Sequence, residues 1–292
     1  MNYSALFILL PFFMLPACRP APQDASSPPP SPSSHHAALT IKGSDTMVHL
    51  VSSWAEQYMQ VSPKAQLSVT GGGSGTGFAA LINGTTDICA ASRPIQAKEL
   101  GQAKDKGITP QEIAVARDAI VVIVHPNNPV AELTMQQTGD IFTGKFSRWA
   151  QVGGTDEAII PLSRESSSGT YVFFQEHVLN KKDYTVAARL MPGTSAMAQA
   201  VAADETSVGY TGLGYALEMR GMVHMVSIKK DEGAPAIVPS EETVASGAYP
   251  ISRELYFYTN GEPSEAAKTF VDFCLSAAGQ QIVRETGYVA VR

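Results

Sequence analysis

Two short loops carry residues whose types and spacing suit the binding of a small anion. The first runs from Gly71 to Gly77 with the sequence GGGSGTG, and the second runs from Arg164 to Thr170 with the sequence RESSSGT. Glycine lets backbone N–H groups approach a ligand, and the serine and threonine side chains add hydroxyl donors. Arg164 offers a planar guanidinium that matches two oxygens of an oxyanion. The two loops therefore predict a site for one small oxyanion.

Other interpretations of these loops fit less well. A nucleotide P-loop ends in Gly-Lys-Ser/Thr, whereas Thr76 and Gly77 lead here to Phe78 and Ala79. A flexible glycine linker is not expected between a strand and a helix. The second loop by itself could be a helix N-cap beside a surface arginine. Its agreement with the first loop favours a binding role.

The elements that must position these loops alternate along the chain. Strands are predicted at Leu39–Lys42, near Leu67 and Val69, at Asp87–Ala91, Ala119–Val124, Ile159–Leu162 and Leu255–Tyr258. Helices are predicted with Met47, Val51, Trp54, Ala55 and Tyr58 on one face, from the glycine loop to Asn83, through Phe173, Phe174 and Val178, and at Ala266–Leu275. This alternation predicts α/β domains with mostly parallel sheets. Donor-rich loops at 43–46, 71–77, 92–93 and 164–170 each follow a strand, where such folds bind ligands.

Several function classes are disfavoured. The chain has a net charge of −6 and no basic patch with interleaved aromatic residues, so nucleic acid is not an expected partner. No serine lies in a Gly-x-Ser-x-Gly motif, and the six histidines lack metal-ligand spacing. We therefore expect no catalytic residues, no metal and no cofactor. The net charge does not argue against binding of a small anion, because such binding depends on local donors and remote charges are screened over about 8 Å.

The N-terminal region predicts export and attachment to a membrane. Residues 1–18 contain a short apolar run that ends in Leu15, Pro16, Ala17 and Cys18, a pattern similar to a bacterial lipobox. Residues 19–38 contain six prolines and five serines, which is typical of an extended linker. We expect Cys18 to be lipidated and the protein to be extracytoplasmic, in the periplasm or at the cell surface. The alternative is an ordinary signal peptide with an incidental cysteine. The sequence leaves open whether Cys89 and Cys274 form a disulfide.

In this order, the loops resemble those of the phosphate-specific substrate-binding proteins of bacterial ABC importers, over nearly all of residues 39–292. The matching stretches are Gly43–Met47, Gly71–Gly77, Leu81–Gly84, Ala91–Ile95, Arg164–Thr170, Val208–Tyr215 and Tyr249–Thr259. The resemblance implies an α/β periplasmic binding protein of type II, with two lobes, crossing hinge strands and a ligand cleft between the lobes. Lobe I would be residues 39–120 and 255–292, and lobe II residues 121–254. It also implies a monomer that captures phosphate, delivers it to a membrane permease and is not an enzyme.

The resemblance also implies a set of ligands. Arg164, Ser168, Gly169 and Thr170 carry over from one lobe, and Thr46, Met47 and Ser74 from the other. The full candidate set is Ser44, Asp45, Thr46, Met47, Ser74, Gly75, Ser92, Arg93, Arg164, Ser168, Gly169 and Thr170.

Two positions depart from the family's pattern, with Arg93 and Ser166 where aspartates are usual. This leaves the acceptor for the phosphate proton unassigned. Our hypothesis is that Asp45 accepts it, and helix N-capping is the alternative role for Asp45. Alternative functions are binding of sulfate or molybdate on the same fold, a phosphoryl enzyme, and a sensing or adhesion role.

Overall fold

The computed structural model describes residues 38–291, and the predicted signal peptide, Cys18 and the linker up to residue 37 lie outside them. The strands are β1 Leu39–Gly43, β2 Leu67–Thr70, β3 Ile88–Ala91, β4 Pro110–Val124, β5 Glu132–Thr134, β6 Ile160–Arg164, β7 Arg189–Met191, β8 Ser207–Gly212, β9 His224–Met225, β10 Ser227–Lys229 and β11 Ser252–Asn260. The helices are α1 Val48–Val61, α2 Ser74–Ile82, α3 Ala97–Asp105, α4 Met135–Phe142, α5 Gly169–His177, α6 Thr194–Ala202, α7 Leu213–Glu218, α8 Glu241–Ala245, α9 Glu265–Leu275 and α10 Ala277–Glu285. Short 3-10 helices lie at Asp45–Met47 and Trp149–Val152.

Within residues 38–291, nine strands form one large mixed sheet in the order β2-β1-β3-β11-β4-β8-β6-β7, with β9 beside β4, and β5 and β10 pair in a separate two-stranded sheet. The outer pairs, such as β1 with β2 and β6 with β7, are parallel. The central strands β4 and β11 are antiparallel to each other over nine residue pairs. The expected α/β class is confirmed, and the parallel pairing predicted for most of the sheet holds at its two flanks rather than at its centre. The pairing is antiparallel at the centre because β4 and β11 join the same two parts of the structure and run between them in opposite directions.

Apolar side chains collect in two main cores on the two sides of this crossing. The first core includes Ile41, Trp54 and Phe257, and the second core includes Val122 and Phe174. Strand β4 contributes residues 115–116 to the first core and residues 119–124 to the second. The lobe boundaries near residues 120 and 255 remain a prediction. The division of the apolar residues into two cores supports these boundaries.

The helix predicted after β1 is confirmed, because α1 buries Val51, Trp54, Ala55 and Tyr58. An apolar face of this kind anchors a helix to the sheet more strongly than its intrinsic propensity does. Its indole donates a hydrogen bond from Trp54 Nε1 to Gly279 O at 2.8 Å. This bond links α1 to α10.

The segment after α10 also reaches back to earlier parts of the chain. Val289 pairs with Arg117 of β4, and the Tyr288 hydroxyl donates to the carbonyl oxygen of Thr46. The thiols of Cys89 and Cys274 are both free and buried. Among residues 38–291, every helix is too short or too polar to be a candidate membrane span.

Candidate anion-binding site

The glycine loop and the loop after β6 meet directly, as their similar chemistry predicted. Gly75 N donates to Ser167 O at 2.9 Å. Gly73 has a φ of 93°, and a Cβ added there would lie 2.6 Å from Ser167 O. A residue with a side chain would therefore be strained and would also separate the loops. Glycine at this position allows the closest approach of the two segments.

Hydroxyl groups from the glycine loop and from the residue after β3 form a buried cluster, and the second loop packs against it. Ser92 N donates to Ser74 Oγ at 3.0 Å, and the Ser74 and Ser92 hydroxyl oxygens are 3.3 Å apart. A Cβ added at Gly169 would lie 2.3 Å from Ser74 Oγ and 2.7 Å from Ser92 Oγ. The start of α5 therefore packs against these two serines with no space for a side chain.

A second contact joins the loop after β1 to the start of α5. Thr46 Oγ1 and Thr170 Oγ1 are 2.9 Å apart, and both residues are buried. Thr46 precedes a helix that belongs to the first core, and Thr170 belongs to a helix of the second core. The contact therefore spans the division between the cores.

Helix N-termini also point into this region. Helix α2 begins at Ser74, and helix α5 begins at Gly169 with Ser168 as its N-cap. The Ser168 hydroxyl accepts a hydrogen bond from Tyr171 N at 3.3 Å. The unpaired N–H groups and the positive end of each helix dipole favour a negatively charged ligand. Ser44 precedes the 3-10 helix that contains Thr46, and Gly75 lies in the first turn of α2, whereas the side chain of Met47 is buried in the first core.

Arg164 is buried, and each of its three guanidinium nitrogen atoms makes a contact. Its Nη2 atom lies 2.6 Å from Asp45 Oδ2, its Nη1 donates to Thr194 Oγ1 at 3.2 Å, and its Nε donates to Met191 O at 3.1 Å. Asp45 Oδ1 in turn accepts a hydrogen bond from Gly72 N at 2.7 Å. The ion pair thus connects three of the predicted loops and fixes the plane of the guanidinium.

These contacts change the interpretation of Asp45. Its carboxylate makes no side-chain cap of the adjacent 3-10 helix, and both its oxygens accept hydrogen bonds from other groups. The alternative role as an N-cap is therefore wrong for this structure. The assignment of Asp45 as the acceptor of a ligand proton stays a prediction.

Arg93 does not join the cluster, in contrast to its place in the candidate set. Its guanidinium donates to both carboxylate oxygens of Glu99, at 2.8 and 2.7 Å, and stacks over Phe78 at 5.0 Å. Glu99 therefore neutralises the charge of Arg93, and the guanidinium donates no hydrogen bond to the hydroxyl group of Ser74. Only the neighbouring Ser92 contributes to the site from this segment.

Two charged residues at the site were missed by the sequence analysis. Asp118 of β4 and Arg253 of β11 form an ion pair of 2.9 Å whose side chains are at most 1% exposed. Arg253 also contacts Ser92 and Thr46. The available signal was the two adjacent charged residues that precede each of two strongly apolar stretches, since charges so close to a buried strand are rarely buried unless paired.

The carboxyl group of Asp118 beside the site has a shifted pKa. Burial raises the pKa of Asp118, while the Arg253 guanidinium and the N–H of Leu213 oppose this rise. Within residues 38–291, no group of three or more His, Cys, Asp or Glu side chains is arranged to hold a metal ion.

Comparison with known proteins places the chain in a family. Residues 27–278 match the family model of the PBP superfamily domain. The phosphate-binding protein PstS of Pseudomonas aeruginosa is 34% identical over 268 residues, which cover 86% of this chain and 82% of that protein. PstS of Staphylococcus aureus is 34% identical over 254 residues, covering 85% of this chain and 76% of that protein.

Solved structures agree with the sequence relatives. A structure from Clostridium perfringens, described as a phosphate ABC transporter substrate-binding protein with bound phosphate, has a TM-score of 0.78 and 31% identity, and covers 87% of this chain and 100% of its own. An ABC-type phosphate transport receptor from Vibrio cholerae has a TM-score of 0.69 and 27% identity, and covers 86% of this chain and 99% of its own. These likenesses confirm the two-lobed fold and the resemblance found in the loops. The chain therefore belongs to the PBP superfamily, among the phosphate-binding proteins called PstS.

Proposed function

We propose that this protein binds inorganic phosphate outside the cytoplasm and delivers it to an ABC importer, without making or breaking a covalent bond. The observation that carries the proposal is the buried cluster of hydroxyl and amide donors at the junction of the two cores. Its hydroxyl and amide donors suit a small oxyanion, and the family of the chain favours phosphate over sulfate and molybdate.

The ligands in this proposal come from both sides of the junction. Thr46, Ser74 and Ser92 supply hydroxyl groups from the first side. Ser168, Gly169 and Thr170 supply hydroxyl and N–H groups at the start of α5, and Arg164 provides a charged donor. Hydrogen bonds from these groups replace the hydration shell of the anion. Closure then follows from contacts that the ligand makes with both lobes at once.

The wider arrangement belongs to the same proposal. Lobe I consists of residues 39–120 and 255–292, and lobe II of residues 121–254. The protein acts as a monomer that docks on a membrane permease. Lipidation of Cys18 would hold it at the membrane, and the proline-rich segment would let the lobes reach the permease.

Calorimetric titration of the purified protein with phosphate, arsenate, sulfate and molybdate tests the ligand. We expect saturable binding of phosphate and arsenate and much weaker binding of sulfate and molybdate. Phosphate carries a proton near neutral pH that sulfate lacks, so a site with hydrogen-bond acceptors separates the two. An absence of heat and of thermal stabilisation with phosphate would refute the proposal.

A further inference from the structure

The buried ion pair of Asp118 and Arg253 lies where the two long strands cross. The two residues are directly opposite each other in the register of β4 and β11. Asp118 Oδ2 accepts hydrogen bonds from Arg253 Nη2 at 2.9 Å and Nε at 3.2 Å, and Asp118 Oδ1 accepts one from Leu213 N at 3.0 Å. Every group that faces the carboxyl oxygens is a donor, so the structure accommodates the ionised form.

Arg253 also contacts two segments that supply ligands in the proposed function. Its Nη1 donates to Ser92 O at 3.0 Å, and its Nη2 donates to Thr46 Oγ1 at 3.4 Å. A guanidinium can only donate, whereas a hydroxyl has one proton and two lone pairs. The Thr46 hydroxyl therefore accepts from Arg253, and its own proton points away from the guanidinium; in the contact between Thr46 and Thr170 either hydroxyl can be the donor.

The charges around the cluster balance. Arg164 is paired with Asp45, and Arg253 is paired with Asp118. The two cations and two carboxylates leave no net formal charge beside the donors. An oxyanion is then held by hydroxyl groups, amides, helix dipoles and the Arg164 guanidinium, whose charge Asp45 balances, and a second negative charge on the ligand gains no extra attraction from an unpaired cation.

We propose that Asp118 and Arg253 are a positioning pair that sets the donor direction of Thr46 and keeps the site electrically balanced, so that the pair determines selectivity among oxyanions. This inference rests on the proposed function and names residues that discriminate at that same site. Asp118 fixes the guanidinium through two hydrogen bonds and offsets its charge. Arg253 in turn donates hydrogen bonds to Thr46 Oγ1 and to the carbonyl oxygen of Ser92 after β3, so the positions of these groups depend on the guanidinium.

The first test is the nearly isosteric substitution Asp118→Asn, which leaves the charge of Arg253 unbalanced. Near about pH 6, phosphate is mainly singly charged and sulfate doubly charged, so the added positive charge favours sulfate by one extra unit of interaction. We expect the ratio of the sulfate to the phosphate dissociation constant to fall at least about tenfold relative to the native protein. Near about pH 8.5, where both anions carry two charges, the ratio should change less than about threefold.

The other titrating groups near the pair, which include His177 in the cavity that Arg253 also lines, are the same in the native protein and in the variant, so they do not produce this pattern. Tyr249 and Tyr288 lie close to Asp118, and burial raises the pKa of both hydroxyls, so both stay neutral at either pH. Glu254 and Arg117 are the charged neighbours on the same two strands, 4.0 Å apart and more than 40% exposed. Glu254→Gln is therefore the matched control, and we expect it to leave the selectivity ratio unchanged.

The second test, Arg253→Lys, keeps the charge and removes the fork of donors. A single ammonium cannot reach Asp118, Ser92 and Thr46 in the geometry that the guanidinium holds. We expect the dissociation constants of phosphate and sulfate to rise together by about tenfold, with their ratio preserved, because one charge-assisted contact is lost. Isothermal titration calorimetry measures all constants, and thermal unfolding without ligand shows whether each variant is folded.

The outcomes separate the two proposals. If the native protein does not bind phosphate, the proposed function fails. If the native protein binds phosphate but Asp118→Asn changes both constants equally at both pH values, the pair has only a structural role and the inference is overturned. If Asp118→Asn does not fold, the inference is tested with Arg253→Lys alone. A phosphate affinity equal to that of the native protein in this variant overturns the inference.

Discussion

The substitution Gly169→Ala should weaken phosphate binding without weakening the fold. Its new Cβ would lie 2.3 Å from Ser74 Oγ, about 1 Å inside the ordinary contact distance of 3.4 Å or more. The backbone of Gly169 itself does not require glycine, because its φ lies outside the left-handed region. The cost therefore arises only where α5 meets Ser74 and Ser92, across the division between the cores.

The expected magnitude follows from the overlap. Forcing an extra methyl group into a packed contact costs about 1 to 3 kcal/mol. If this cost applies only to the closed arrangement, the dissociation constant for phosphate rises by about 5- to 150-fold. If the lobes move apart without ligand, as the proposed function requires, the unfolding temperature should change by less than about 2 °C.

Calorimetric titration with phosphate and thermal unfolding with and without phosphate measure both effects. Gly101→Ala is the matched control, because Gly101 also lies in a helix and a Cβ there meets nothing within 4 Å. We expect native phosphate affinity in this control. Native affinity in Gly169→Ala would show that the closed contact between α5 and the two serines is not part of the bound state, and would refute the reasoning.

Three further changes test other parts of the molecule. Arg164→Ala should raise the phosphate dissociation constant by the equivalent of about 1.5 to 3 kcal/mol, the contribution of hydrogen bonds to charged groups, whereas alanine at the exposed Arg189 should leave it unchanged; calorimetry distinguishes them. Asp45→Asn should lower the preference for phosphate over sulfate, since Arg164 would lose its counter-charge, and an undiminished preference in competition titrations would remove Asp45 as the acceptor. Cys89 and Cys274 should resist a thiol reagent near about pH 8 in the native protein and react after unfolding, because burial raises the pKa of both thiols well above its usual range; rapid labelling of either in the folded state would contradict this.

The sequence predicted the donor loops well because their chemistry is local. Glycine, serine and threonine in one short run restrict the backbone and its ligands together, so the meeting of Gly75 with Ser167 followed from strand ends that share one edge of a sheet. The apolar strand at Ala119–Val124 was also recognised from its composition. Its true start at Pro110 was not, because the first half of β4 is only partly buried and carries polar residues.

The charged contacts could not be predicted, because they depend on partners far apart in the chain. Asp118 and Arg253 are 135 residues apart and meet only through the register of β4 and β11. Arg93 was assigned to the site from its position after a strand, yet its guanidinium forms an ion pair with Glu99 on the next helix. A side chain of this length can point to either side of its loop, and the choice is made by the nearest carboxylate.

The attachment of Tyr288 and Val289 to the first loop and to β4 has a consequence for how the protein is made. A chain synthesised or exported from its N-terminus exposes the loop at Thr46 long before Tyr288 exists to bind its carbonyl group. Strand β4 likewise lacks Val289 until nearly the whole chain has emerged. Contacts of such wide sequence separation form late, because loop closure must come first. The loop at Thr46 and the strand β4 therefore obtain their last contacts only when nearly the whole chain is available.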